Sequence, residues 1–278
     1  MSARELAGRA LARAIREETA AQASALAAAG RPARLVIVTA TDDDASGWYV
    51  RSLAKAASGV GVECEVVDLG PAADAATIRR ELTGRSADPQ VSGVMLQTPL
   101  PPGASAAELA EAIAVEKDVD GANPWSLGRL AAGRPAFAPA TAEAVVRLLA
   151  HYEVPLAGRP AVVVGRSTVV GKPLAQLLLD RDATVTVCHS RTADLVAVTR
   201  SGELVVAAVG RTHLIGPEYV SPGAVVVDVG TNPTPDGGLA GDVDPAVAAH
   251  ADALSPVPGG VGPVTTALLL AHTVTAAI

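Results

Sequence analysis

Apolar positions along the chain follow two alternating patterns. Short runs of Val, Leu, Ile and Ala, the mark of strands buried on both faces, are separated by longer stretches in which Leu, Ile and Val recur every three or four positions among Ala, Arg and Glu. The first such stretch, Ala3 to Ala29 with Leu6, Leu11, Ile15 and Leu26, predicts a helix that stops at Gly30-Arg31-Pro32. A strand Leu35 to Thr39 follows, then a helix opened by the polar run Asp42 to Ser46 and closed at Gly59. The alternation continues with strand Cys64 to Leu69, helix Ala75 to Thr83, strand Val91 to Gln97 and helix Ser105 to Ala114. Strands and helices in this order predict an α/β layer with a mostly parallel sheet.

From Lys117 to Pro139 the periodicity lapses into turn residues, and a loop of that length in a compact protein is usually functional. A helix from Thr141 to Tyr152 then leads to the run Ala161-Val-Val-Val164, which breaks at Gly165 and resumes after Gly171 with Leu174, Leu177 and Leu178. This is the strand, turn and helix of a mononucleotide-binding βαβ unit, although Ser167 and Val170 stand where the common Gly-x-Gly-x-x-Gly spacing has its second and third glycines. Gly165 permits the tight turn, and the helix start offers backbone N–H groups to a phosphate. Strands at Thr184 to Cys188, Leu204 to Val209 and Ala224 to Val229 continue the series. Two α/β series joined by an irregular segment predict two lobes with a cleft between them. The last helix, Val264 to Ile278, follows the Pro- and Gly-rich turn Pro256 to Pro263 and is expected to return to the first lobe.

Composition narrows the function. A net charge of -7 and a pI near 5.2 leave no basic footprint for nucleic acid, so small soluble ligands are the expected partners. Hydrophobic residues make up 49% of the chain, but they are scattered in runs far short of a membrane span of ~20 residues. The N-terminal stretch is charged and helical in pattern, unlike a secretory signal, and two cysteines, Cys64 and Cys188, are too few for a disulfide framework. A cytoplasmic location is expected.

In dinucleotide folds an acid at the end of the second strand binds the ribose hydroxyl, whereas a basic residue accommodates a 2′-phosphate. Here that strand ends in Cys188-His-Ser-Arg-Thr192, without an acid; Ser190, Arg191 and Arg166 can all donate to a phosphate, which favours NADP. Gly259, Gly260, Gly262 and Pro263 permit close backbone approach to a flat ligand. Tyr49, Gln97 and Asp120 are the candidate reacting-site residues, Gln97 lying at a strand's carboxyl end. The triple Asp42 to Asp44 reads as a solvated helix cap rather than a metal site, and the five dispersed histidines suggest no catalytic pairing.

These motifs coincide in order with one family. The chain resembles the bifunctional methylenetetrahydrofolate dehydrogenase/methenyltetrahydrofolate cyclohydrolases of one-carbon metabolism over nearly its full length. The resemblance rests on Asp42-Asp-Asp-Ala-Ser46 with Tyr49-Val50, Gln97-Thr-Pro-Leu-Pro101, Lys117-Asp-Val-Asp-Gly121, Gly128-Arg-Leu130, Gly165 to Pro173, His189 to Thr192, Val227 to Gly230, Gly241 to Val243 and Pro256 to Pro263. It implies a folate-binding catalytic domain (1–140 and 264–278) and a Rossmann-like NADP-binding domain (141–263), usually in a homodimer. Tyr49 would stack on the pterin-side ligand, Gln97 would support catalysis and Asp120 would hydrogen-bond the pterin. Pro258, Gly259 and Gly260 would complete the substrate contacts. The cofactor would meet Gly165, Arg166, Ser167, Gly171, Ser190, Arg191, Gly230 and Thr231.

The chain also departs from the family pattern. The family helix reads Tyr-Val-x-x-Lys-x-Lys-Ala, with the first lysine catalytic; here the frame is Tyr49-Val-Arg-Ser-Leu-Ala-Lys-Ala56, so Leu53 occupies the catalytic position. Lys55 matches the second lysine and is rotated about 200° from position 53 on a helix; Arg51 is similarly turned away. Lys117 is the distant cation that sequence leaves open. Pro139-Ala-Thr-Ala142 replaces Pro-Cys-Thr-Pro, and Asp44 replaces a loop proline. Dehydrogenation draws its chemistry from the nicotinamide and from alignment of two rings, whereas hydrolysis of the methenyl product needs a group that gains and loses a proton. The expectation is an NADP-dependent dehydrogenase with weak or absent cyclohydrolase activity. The alternatives are a paralogue acting on another methylene or imine compound and a silent folate- and NADP-binding protein.

Overall fold

The computed structural model describes residues 3–278; residues 1 and 2, where the expected first domain begins, lie outside the described residues. The chain divides into two compact units, one combining the segment up to Ala12 with Thr141–Thr265, the other combining Arg13–Ala140 with Thr266–Ile278.

The chain opens with a short strand, β1 (Arg4–Glu5), and helix α1 (Arg9–Ala28) begins only after Gly8. The helix expected from Ala3 is thus cut short. A Cβ on Gly8 would lie 1.9 Å from the Gly260 carbonyl oxygen, and the Gly8 N–H donates to the Gly259 carbonyl at 2.8 Å, so tertiary contact commits this stretch to extended backbone.

The unit built on Arg13–Ala140 follows the expected alternation: β2 (Arg34–Thr39), α2 (Asp44–Gly59), β3 (Glu63–Asp68), α3 (Ala75–Ala87), β4 (Gly93–Leu96) and α4 (Ala106–Ala110). The three strands form a parallel sheet in the order β3-β2-β4. Central β2 is buried on both faces. Leu35 and Ile37 pack with Val50, Leu53, Ala57, Leu269 and Leu270, and Val36 and Val38 pack with Ile78, Leu82 and Leu109 on the opposite face. The pleat alone produces this division, since successive side chains point to opposite sides. Helix α4 is shorter than expected. Within the predicted loop a helix, α5 (Pro124–Ala131), is present; its Asn123 cap accepts the Trp125 N–H at 2.8 Å and Pro124 occupies the first turn. Those start signals stand in the sequence, but the apolar face behind them is too short to declare a helix.

Helix α6 (Ala140–His151) leads into the second unit: β5 (Pro160–Val164), α7 (Gly171–Leu179), β6 (Thr184–Cys188), α8 (Leu195–Arg200), β7 (Leu204–Ala207), β8 (Val225–Asp228), the antiparallel pair β9 (Asn232–Pro233) and β10 (Leu239–Ala240), and β11 (Ala253–Leu254). A six-stranded sheet runs β6-β5-β7-β8-β11-β1, with every neighbouring pair parallel. Val162, Val164, Val205, Ala207 and Val226 form its core. Arg4 pairs with Ala253, so β1 completes that sheet's edge, and the segment through Ala12 groups with the later unit by contacts, whereas the expected first domain runs over 1–140.

The final helix, α9 (Val261–Thr275), starts three residues earlier than expected and runs through Pro263, which is tolerated in a first turn. From Thr266 onward it belongs to the unit of β2, the return expected of it. No helix of the described residues is long and apolar enough to cross a membrane.

Candidate active site

In the smaller sheet the strand order reverses at β2, whose neighbours β3 and β4 lie on opposite sides, and such switch points are where α/β sheets receive ligands. Helix α2 rises from the carboxyl end of β2. Asp43 caps it, accepting the Ser46 N–H at 2.8 Å and the Ser46 hydroxyl at 2.7 Å, while Asp44 stands in the first turn. Ser46 also binds the Thr98 carbonyl at 3.1 Å, tying this helix start to the loop after β4. The Thr98–Pro99 bond in that loop is cis.

Tyr49 and Asp120 interact here electrostatically, and Gln97 stands just past the end of β4. Gln97, buried at the end of β4, donates from Nε2 to the Thr98 carbonyl at 2.5 Å, while its Oε1 has no hydrogen-bond partner among the described residues. The amide cannot be turned over to cure this, since the Thr98 carbonyl can only accept. A buried, unmatched acceptor is open to a donor from outside the chain. Tyr49 is hydrogen-bonded to Thr266 of α9, and burial together with the charge of Asp120 holds its phenol well above the ordinary value. It therefore stays a neutral donor at physiological pH. Asp120 is pushed up to about 7, chiefly by burial and then by Asp118, with His272 pulling the other way.

The segment carrying Asp120 is held by Asp118. Fully buried, it accepts from the N–H groups of Ala122 and Asn123 at 2.9 Å each and from the Ser126 hydroxyl at 2.6 Å. Sequence reading assigned no role to Asp118, Thr266 or His272. Only the neighbourhood of the Lys117-Asp-Val-Asp motif pointed towards the first of these, and for the other two no local signal exists.

Position 53 has no solvent exposure and sits in the core with Leu35, Ile37, Val50, Met95 and Val119, against which Tyr49 and Phe137 also pack. None of the three cations weighed from the sequence takes the place of a lysine: Arg51 and Lys55 are exposed, and the Lys117 ammonium binds the Asp88 carbonyl at 2.5 Å. Lys117, the distant candidate, is thus committed elsewhere.

On the six-stranded sheet the candidate cofactor residues follow the carboxyl ends of successive strands. Gly165 after β5 has φ +129, and a Cβ there would lie 2.1 Å from the Ala208 carbonyl oxygen; one on Gly171 would lie 2.1 Å from the Gly165 oxygen. Only glycine allows the turn to fold back this closely. One expectation changes. The first N–H groups of α7 do not await a phosphate, because Ser167 Oγ accepts from Val170 and Gly171 at 3.1 and 3.4 Å and the Ser167 carbonyl takes Lys172 at 3.0 Å. No hydrogen bond among the described residues takes up the N–H groups of Arg166, Ser167, Thr168 and Val169. The N–H groups left without an acceptor are therefore those of the exposed loop rather than those of the helix end.

The turn after neighbouring β6 is rigid, with the His189 N–H on Thr192 Oγ1 at 2.9 Å and the Arg191 N–H on His189 Nδ1 at 3.1 Å, and it exposes Ser190 and Arg191 at its tip. Beyond β7 and β8, two carboxylates organise the backbone. Asp228 accepts from the N–H groups of Gly230, Asp242 and Val243, each at 2.9 Å. Asp242 accepts from Val209, Gly210, Arg211 and Asn232. Gly230 is thereby fixed against Asp242 with Thr231 exposed beside it. Sequence reading noted the Val227-Asp-Val-Gly230 and Gly241-Asp-Val243 stretches without finding this clamp. Pro258, Gly259 and Gly260 follow β11, with a cis Val257–Pro258 bond and the Gly8 segment braced against them. Glycine turns, unpaired loop N–H groups and the exposed Arg166 and Arg191 thus follow the carboxyl ends of successive strands in one sheet.

Comparison with known proteins agrees. Residues 6–120 match the catalytic domain of tetrahydrofolate dehydrogenase/cyclohydrolase, and residues 139–278 match the NAD(P)-binding domain of the same family. The chain is 60% identical over 98% of its length, and 93% of the relative's, to Bifunctional protein FolD 1 of Saccharopolyspora erythraea. Among solved structures, the bifunctional FolD methylenetetrahydrofolate dehydrogenase/cyclohydrolase of Campylobacter jejuni is 38% identical with a TM-score of 0.94, covering 98% of this chain and 97% of that one. The Trypanosoma brucei FolD, solved with NADP cofactor and inhibitor, is 35% identical with a TM-score of 0.94, covering 100% of this chain and 98% of that one. With both of its halves matched in order and its sheets formed as the motifs require, this chain belongs to the tetrahydrofolate dehydrogenase/cyclohydrolase family.

Proposed function

We propose that this protein oxidises 5,10-methylenetetrahydrofolate to 5,10-methenyltetrahydrofolate with NADP, and that it hydrolyses the methenyl product poorly or not at all. The unit of Arg13–Ala140 with Thr266–Ile278 carries the folate chemistry and the other unit carries NADP. The nicotinamide supplies the hydride acceptor. Tyr49, Gln97 and Asp120 bind and orient the folate, the unmatched Gln97 Oε1 taking a donor from it. Pro258, Gly259 and Gly260 give backbone approach to the substrate. Gly165, Arg166, Ser167, Gly171, Ser190, Arg191, Gly230 and Thr231 hold the cofactor. The protein acts as a homodimer in the cytoplasm.

The observation that carries the reading is Leu53, sealed in an apolar core, with Lys117 bound to the Asp88 carbonyl instead. Orienting two rings for hydride transfer survives that replacement; proton shuttling during ring opening does not. The test is a coupled assay with methylenetetrahydrofolate and NADP. Accumulation of the methenyl chromophore is expected, and rapid passage to 10-formyltetrahydrofolate would sink the proposal.

Arg191 gives the cofactor preference its own test. Arg191→Ala removes a charged donor to the 2′-phosphate, an interaction of about 1.5–3 kcal/mol. The KM for NADP should rise roughly 10- to 100-fold while that for NAD stays put. An equal loss for both cofactors would assign Arg191 no part in the discrimination.

A further inference from the structure

The unit of Arg13–Ala140 carries a groove between α1 and α2 that none of the residues given to the reaction lines. Its free space of about 510 Å³ is of the size that takes a small ligand. Arg13 and Arg16 line it from α1 and Lys55 from α2, against a single acid among the lining residues, Glu17. Arg13, Glu17 and Lys55 are exposed and Arg16 is half-buried. Among the described residues no hydrogen bond or ion pair engages any of these four side chains. Three cations to one acid make the groove positive in a chain whose net charge is -7. Cleft walls of one sign concentrate potential and draw in the opposite charge.

The remaining lining residues set the shape of the ligand. Ala20 and Ala56 are half-buried and Val60 is buried, so the groove has apolar surface between its cations. Cations set over apolar surface suit a chain that alternates carboxylates with methylene groups; a compact anion would leave that surface uncovered. The groove also has a direction. Tyr49, Ser52, Ala56 and Gly59 recur at helical spacing along one stripe of α2, and the last three line the groove. Ser52 stands about 4.5 Å along the axis from Tyr49, so the groove begins one turn from a residue given to the folate.

We propose that this groove binds the γ-linked glutamate tail of the folate substrate, which enters past Ser52. Arg13, Arg16 and Lys55 pair with its carboxylates, and Ala20, Ala56 and Val60 receive its methylene groups. This rests on the folate-binding role given to Tyr49 above. The two guanidinium groups donate in forked pairs, while the ammonium of Lys55 acts as a point charge. An exposed ion pair is worth roughly 1.5- to fivefold in affinity, so the effect comes from their number and is screened by salt.

The test compares methylenetetrahydrofolate bearing one and five γ-linked glutamates. In dilute buffer the KM for the pentaglutamate should lie roughly tenfold below that for the monoglutamate, and the ratio should shrink towards one in about 0.5 M salt. Arg13→Gln/Arg16→Gln/Lys55→Gln should abolish the ratio with kcat held, and Lys55→Gln alone should cut it roughly twofold. Penta-γ-glutamate without a pterin should shift the side-chain nitrogen-15 NMR signals of Arg13 and Arg16, each identified by its loss in the single variant. If the triple variant fails to fold, Lys55→Gln and the salt series of the parent decide. A parent ratio near one, a ratio that the substitutions leave unmoved, or equal NMR shifts with inorganic phosphate at the same concentration would overturn the proposal. Shifts specific to the peptide in a protein that does not oxidise methylenetetrahydrofolate would instead overturn the functional reading and leave the groove's preference standing.

Discussion

Leu53→Lys is expected to raise hydrolysis of methenyltetrahydrofolate by about 10²- to 10⁴-fold, the usual worth of a positioned acid/base group. Positions 49 and 53 lie four apart on α2 and share a face, so a lysine at 53 lies one turn along from Tyr49. The pocket around it is lined by Leu35, Ile37, Val50, Met95 and Val119, and an ammonium there loses its hydration. That lowers its pKa towards neutrality, the direction a proton shuttle requires. The same desolvation destabilises the fold by on the order of 3–5 kcal/mol. A lysine whose folded pKa is depressed carries its penalty in full below the folded value and sheds it as pH rises towards the unfolded value of about 10.4. The variant should therefore gain stability, relative to the parent, between neutral and alkaline pH. Decay of the methenyl absorbance measures the gain in activity, and urea unfolding at two pH values measures the cost. A soundly folded variant with no added hydrolysis would remove position 53 from the explanation.

Asp242→Ala should produce the largest loss in the nucleotide unit. The Asp242 carboxylate has no solvent exposure and accepts from Val209 at 2.6 Å, Gly210 at 3.0 Å, Arg211 at 2.8 Å and the Asn232 side chain at 2.9 Å. Truncation leaves these donors without their acceptor, at a cost of about 3–5 kcal/mol. It also frees the loop after β7, so NADP affinity, read by calorimetry, should fall more than tenfold. A variant within about 1 kcal/mol of the parent would show that water replaces the carboxylate. Asp228 adds a pH signature, because burial, and to a lesser degree Asp242, push it up to about 6 against three backbone N–H bonds. An acid raised in the folded state contributes stability that is complete below the unfolded value of about 3.9 and lost as pH rises through about 6. Asp228→Asn should flatten the stability profile across that window.

Much of this architecture is legible along the chain. Parallel strands covered on both faces must be apolar throughout, so β2, β5, β7 and β8 announce themselves as runs of Val, Leu, Ile and Ala. The break at Gly165 is equally visible, because no other residue tolerates that backbone against Ala208. Leu53 is read from helical spacing relative to Tyr49, a local property. By contrast, β1 and β11 contain two residues each and exist only because they pair with one another and with β8. No periodicity can appear in two residues.

The sequence by itself determined the alternation of elements, the two α/β series, the glycine turn, the family resemblance and the missing lysine, because each is written in the identity or spacing of neighbouring residues. Tertiary structure decided the rest. It joined the N-terminal segment to the later sheet and gave the Ser167 hydroxyl the Val170 N–H before α7. It also brought Asp242 under the loop of Val209 and set His272 on the carbonyl of Val119, 153 residues away. Hydrogen bonds and charges act through space over a few ångströms, and the chain carries no local mark of which distant group will arrive there.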